Sequence, residues 1–183
     1  MPIDYTKRTP EPESASTPAA GAGKVTLTKA APTVSLAKTG AATAGILRVN
    51  LNWTARPAGS GGGGFFKRAT SAAIDLDLGC LYEFADGRKG VVQALGNALR
   101  SVNDGPPLIS LDGDDRSGNN AAGENLSIDL SRLGEIRRIL VFAFIYEGTP
   151  NWAGANGVVT LYPPSGGPIE VHLDEADPQA RMC

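Results

Sequence analysis

Nearly every periodic segment in this sequence alternates apolar and polar residues with a period of two. That pattern belongs to strands with one dry face, not to helices, whose apolar face returns every three to four residues. The strongest case is IDLDLGCLYEF at 74–84. There Ile74, Leu76, Leu78, Cys80, Tyr82 and Phe84 share one face, and Asp75, Asp77, Gly79, Leu81 and Glu83 the other. In GILRVNLNW, Leu47, Val49, Leu51 and Trp53 form a dry side opposite Arg48, Asn50 and Asn52. Short strands are also expected at 24–29, 91–95, 108–111, 126–130, 158–162 and 169–173, with ADGRKG at 85–90 as a hairpin turn through Asp86-Gly87. ILVFAFIY at 139–146 is apolar on both faces but too short to cross a membrane as a helix. Its β-branched and aromatic residues predict a central strand covered on both sides. NALRSVND is either a helical turn or a loop. The expected class is all-β: a β-sandwich of two mostly antiparallel sheets with about nine strands.

Glycine and proline punctuate these strands; they number 23 and 13 of 183 residues without a collagen-like period. With 42% apolar residues the chain supports one core of moderate size and so one domain. Residues 1–23 lack periodicity and are expected to be a disordered arm. The sandwich is expected over 24–175, with a short tail at 176–183. The glycines at 61–64 predict a flexible loop, followed by Phe65 and Phe66, which either fold back onto the body or form an exposed contact. A net charge of −2 gives no basis for nucleic-acid or anionic-membrane binding. Neither a transmembrane stretch nor a secretory leader is read from the sequence, so the expected location is the cytoplasm. Cys80 is expected to be a buried free thiol; a bridge to Cys183 has little motivation.

The carboxylates are not scattered at random. Asp75 and Asp77 project from one strand face, and DGDDRSGNNAAGE contributes Asp112, Asp114, Asp115 and Glu124, with Arg116 as the only basic residue inside either segment. Two aspartates at i,i+2 on an exposed strand face repel one another. Gly113 and Gly118 allow the loop to turn its short carboxylates and carbonyls toward them. Oxygen-only donors suit a hard cation such as calcium; magnesium would demand a tighter octahedron, and the absence of His and Cys disfavours zinc and copper. The spacing does not match an EF-hand. Two other readings stand beside this one: an Asx-type turn whose aspartates cap backbone amides, and a paired-carboxylate hydrolase. Trp53 is expected in the core, and Trp152 either contacts a partner or leans on a sheet edge. His172 is expected at the surface, and Arg137 and Arg138 mark the wet start of a strand. His172 is the sole histidine, so no Ser-His-Asp or Cys-His arrangement can be assembled.

IDLD at 74–77, GDDRSG at 113–118 and Glu124 with Ile128 and Leu130 resemble the TerD-domain family of tellurium-resistance and stress-response proteins. VNLNW at 49–53 and ILVFAFIYEG at 139–148 are similar to an early and a late strand of that family. VVQALG at 91–96, with P-x-I-x-L-D-G-D-D-R-S-G ending at 118, resembles its TerA-like branch more than TerD itself. The resemblance implies a β-sandwich that binds calcium through acidic loops, encoded with tellurite resistance, phage resistance and stress tolerance. Its implied ligands are Asp75, Asp77, Asp114, Asp115 and Glu124, with Asp112 and Asn119 as additions. The run NNAAGE is poorer in aspartate than the family pattern, which weakens one cation site. A non-enzymatic calcium-binding module is the leading expectation, with other tellurium-resistance or stress proteins as partners. A metal-independent interaction sandwich is the alternative, and the hydrolase comes third.

Overall fold

The computed structural model describes residues 23–36, 44–54, 74–112, 123–148, 151–174, 177 and 179–183. Residues 1–22 of the N-terminal arm, the glycine tract with Phe65 and Phe66, and the loop carrying Gly113, Asp114, Asp115, Arg116, Gly118 and Asn119 lie outside the described residues. The elements are β1 (Val25–Leu27), β2 (Ile46–Asn52), β3 (Asp75–Phe84), β4 (Lys89–Gln93), β5 (Ile109–Leu111), β6 (Glu124–Asp129), β7 (Ile136–Glu147), the single-turn α1 (Trp152–Ala155), β8 (Gly157–Tyr162) and β9 (Ile169–Leu173). Short 3-10 turns occupy Leu95–Asn97 and Leu130–Glu135.

These strands form two sheets, one of six in the order β1-β9-β8-β2-β6-β5 and one of three in the order β4-β3-β7. Every pairing is antiparallel except β1 with β9. The sheets face each other with β4 over β5 and β3 over β6, which makes the molecule the all-β sandwich that the alternation predicts. The dry faces meet between them: Val49, Leu51, Leu76, Leu78, Cys80, Val92, Ile109 and Leu126 are fully buried. Each such aliphatic side chain contributes about 1.5–3 kcal/mol relative to exposure.

Several local expectations need correction. β7 is not central. It is an edge strand of the smaller sheet, and β3 holds the middle because its hairpin partner β4 and the returning β7 flank it. Only the inward side of β7 and part of its outward side are covered, and Leu140 is 62% exposed. Within the apolar run, Phe142 is covered because it lies over Gly79, where a Cβ would come within 2.5 Å of its ring. The return strand ends at Gln93 and not at Leu95, since Gly96 (φ 74°) and Asn97 (φ 59°) reverse the chain. Trp152 is no surface anchor: it is 1% exposed, and its indole Nε1 donates to the Ala180 carbonyl at 2.8 Å. Asn50, assigned to the wet side of β2, is buried beneath its neighbours. As expected, Trp53 and Cys80 are buried, His172 is exposed, and both cysteines are free.

Candidate metal centre

Two sheets deliver carboxylates to one end of the sandwich. Asp75 and Asp77 leave β3 on the side opposite Leu76 and Leu78, as strand geometry requires. The sequence placed them on an exposed face; they are in fact 7% and 4% exposed. Polarity alternates along β3, but burial does not, because both of its faces are covered at this end. Oδ1 of each aspartate is buried without a hydrogen-bond donor, while both residues interact elsewhere.

Glu124 comes from the other sheet. It opens β6 on the inward side, in line with Leu126 and Ile128, and is 1% exposed. Its Oε2 accepts a hydrogen bond from the Leu78 amide at 2.7 Å. That N–H follows Asp77 and points to the side of β3 that β4 leaves unpaired, because β4 engages only Gly79–Glu83. The Glu124 carboxylate thus stands in for a missing ladder partner and meets β3 beside Asp77. Gly123 makes this approach possible. Its φ is +59°, and an added Cβ would lie 2.1 Å from the Leu51 carbonyl oxygen. Asn50 reinforces the junction, donating through Nδ2 to the Glu124 carbonyl at 3.3 Å and to Asn125 Oδ1 at 3.0 Å.

Asp112 is directed elsewhere. Its Oδ1 and Oδ2 accept from the Asn125 amide and Asn125 Nδ2 at 2.9 and 2.8 Å. Asn125 Oδ1 in turn accepts from Arg48 Nη1 at 2.9 Å. Successive strand residues point to opposite faces, so this Arg48–Asn125–Asp112 chain lies on the side of β6 away from Glu124. The structure therefore brings Glu124 to the Leu78 amide, next in the chain to Asp77, and sends the carboxylate of Asp112, just past the end of β5, the other way to Asn125. Asp114, Asp115 and Asn119 fall outside the described residues. Among the described residues, no group of three or more His, Cys, Asp or Glu is arranged to hold one ion.

Sequence reasoning missed a further buried carboxylate. Glu83 is 6% exposed on the outward face of β3. Arg137 reaches its Oε1 at 3.0 Å, and Arg138 Nη2 reaches its Oε2 at 2.6 Å. The hydrogen bond from Arg138 holds the Glu83 carboxyl below its ordinary range. The signal was present in the sequence: a third acid in the alternation, six residues beyond Asp77, and two adjacent arginines on another strand. Nothing local, however, announces that the two pair. A shallow cavity of about 190 Å³ lies beside the β3–β4 hairpin, lined by Asp86, Arg88 and Glu135 among others. Asp86 there has its carboxyl lowered by the Arg88 main-chain N–H and then by the Arg88 side chain. Carboxylate acid catalysis needs the opposite shift, so Asp86 does not suit the role of a catalytic acid.

A two-sheet sandwich that carries IDLD in β3, in a chain whose sequence also holds a Gly-Asp-rich segment after β5, defines the class: the domain resembles the TerD-domain family of tellurium-resistance proteins. More particularly, the chain is 49% identical over 162 residues to a tellurium resistance protein TerA of an Alcaligenes species. That alignment takes in 87% of this chain and 46% of the relative, so the chain spans less than half the length of the protein it matches. No family model matches the chain. Among the described residues, no helix is long and apolar enough to cross a membrane.

Proposed function

We propose that this chain is a non-enzymatic calcium-binding module of a bacterial tellurite-resistance and stress response, acting in the cytoplasm beside other proteins of that response. The observation that carries the proposal is that three carboxylates are buried at one end of the sandwich, Asp75 and Asp77 on β3 and Glu124 from the other sheet, the last bonded to the amide that follows Asp77. Buried carboxylates are costly unless charge and hydrogen bonds offset them. An all-oxygen donor set fits a hard cation. Calcium takes about six to eight oxygens, more than the described residues supply. The proposed ligand set is therefore completed by Asp114, Asp115 and Asn119 of the loop, with Asp112 anchoring the loop's start and adding to the local negative charge. The relative's role in tellurium resistance supports the physiological setting.

The test is thermal melting of chelator-stripped protein with and without calcium. Calcium at a hundred times its Kd adds about 2.7 kcal/mol, and Asp114→Ala combined with Asp115→Ala abolishes the shift. An unchanged melt, together with no heat on calorimetric titration, refutes the metal reading. A metal-independent interaction module is favoured by a different observation, an open strand edge on β7.

A further inference from the structure

The two sheets differ in width. Six strands face three, and with β4 over β5 and β3 over β6, the strands β8, β9 and β1 run past β7. At this seam Ile136, Ile139 and Val141 of β7 and Leu161 of β8 pack on the core yet remain partly exposed. The edge of β7 itself is half used. Ala143 and Ile145 point their N–H groups away from β3 and donate to the carbonyls of Cys183 and Arg181 at 2.9 and 2.8 Å. Cys183 N returns a bond to the Ala143 carbonyl at 2.9 Å. By the alternation of an antiparallel ladder, Ile139 and Val141 present N–H and C=O in the same direction. Among the described residues, no backbone group meets them there.

We propose that Arg137–Val141 receives an extended segment of a partner protein as an added strand, in line with Arg181–Cys183. Main-chain hydrogen bonds to Ile139 and Val141 supply the affinity, and alternate side chains supply the selectivity. Residues facing inward close the seam over Ile139, Val141 and Leu161 and are apolar. Residues facing outward lie beside Arg137 and Arg138, whose side chains are 68% and 72% exposed. Two guanidiniums share the one Glu83 carboxylate, which leaves a net positive charge, so the outward positions of the partner are acidic. A second copy of this chain does not fit. Strands in a sheet lie about 4.8 Å apart, so pairing β7 with β7 drives the overhanging β8, β9 and β1 of both copies into the same space. One strand fits over the overhang.

The test uses the full chain in chelator, so its outcome is separate from the calcium proposal. The probe is a fluorescent pool of octapeptides with Val, Ile or Leu at alternate positions and Glu or Ser between them. Saturable binding is expected, with amide exchange at Ile139 and Val141 slowed at least about tenfold. A pool N-methylated at alternate residues loses this binding. Val141→Pro removes an outward N–H without touching the β3 ladder, a position that edge strands tolerate, and weakens binding by at least about tenfold. Three outcomes overturn the proposal: no protection of these two amides, binding that survives both N-methylation and Val141→Pro, or a dimer in sedimentation that Val141→Pro abolishes.

Discussion

Replacing Glu124 separates its structural role from its charge. Glu124→Ala strands the buried Leu78 N–H, now bonded at 2.7 Å, at a cost of about 1–3 kcal/mol. It also empties a site that is 1% exposed, which adds about 1–2 kcal/mol. At about 2–4 °C per kcal/mol for a chain of this size, Tm falls by roughly 4–20 °C. Glu124→Gln keeps an acceptor for Leu78 and nearly the same volume while removing the charge. In chelator it therefore melts within about 1 kcal/mol of the wild type, on either side. Calcium restores the contrast: at a hundred times Kd the wild type gains about 2.7 kcal/mol, roughly 5–11 °C, and Glu124→Gln gains less than half of that. The assay is differential scanning calorimetry of the three proteins with chelator and with calcium. If Glu124→Gln falls in chelator as far as Glu124→Ala, the carboxylate charge is already fully matched by fixed groups and no cation is required. A full calcium shift in Glu124→Ala refutes its place in the site.

Gly123→Ala combines a left-handed backbone with a Cβ 2.1 Å from a carbonyl oxygen; it is expected to cost about 2–4 kcal/mol in urea unfolding and to weaken calcium binding by displacing Glu124. The Glu83 carboxyl is held below its ordinary value near 4.5, first by the Arg138 hydrogen bond. Its stabilising contribution is present above that value and is lost as the pH falls through the depressed folded value. Glu83→Gln should therefore melt lower at neutral pH and show a shallower loss of stability in that acid window. Burial pushes the Cys80 thiol up to about 12, whereas Cys183 is exposed; a thiol reagent at pH 8 should label Cys183 quickly and Cys80 only on unfolding.

Local periodicity was enough for the fold class. Leu47, Val49, Leu51 and Trp53, and the dry face from Ile74 to Phe84, lie in the core where their alternation put them, because period two and a polar opposite side leave a strand one way to bury itself. The Asp86-Gly87 hairpin was equally local: Gly87 takes a φ of 89° at the turn. The acidic residues also drew attention by type and spacing alone, and Glu124 reaches β3 beside Asp77.

What the tertiary structure decided was which surfaces are covered and which edges are closed. An apolar run such as ILVFAFIY reports that side chains are apolar, not whether another strand lies beside it, so β7 proved to be an edge. Asp75, Asp77 and Asn50 are polar, yet they are buried by groups far away in sequence, and no local pattern encodes that cover. Asp112 sits next to Asp114 and Asp115 in the chain but is drawn to Asn125 on the far side of β6. Burial and the direction of a hydrogen bond depend on contacts between distant segments, whereas strand identity depends on neighbours two residues apart; that difference divides what this sequence determines by itself from what only its folding decides.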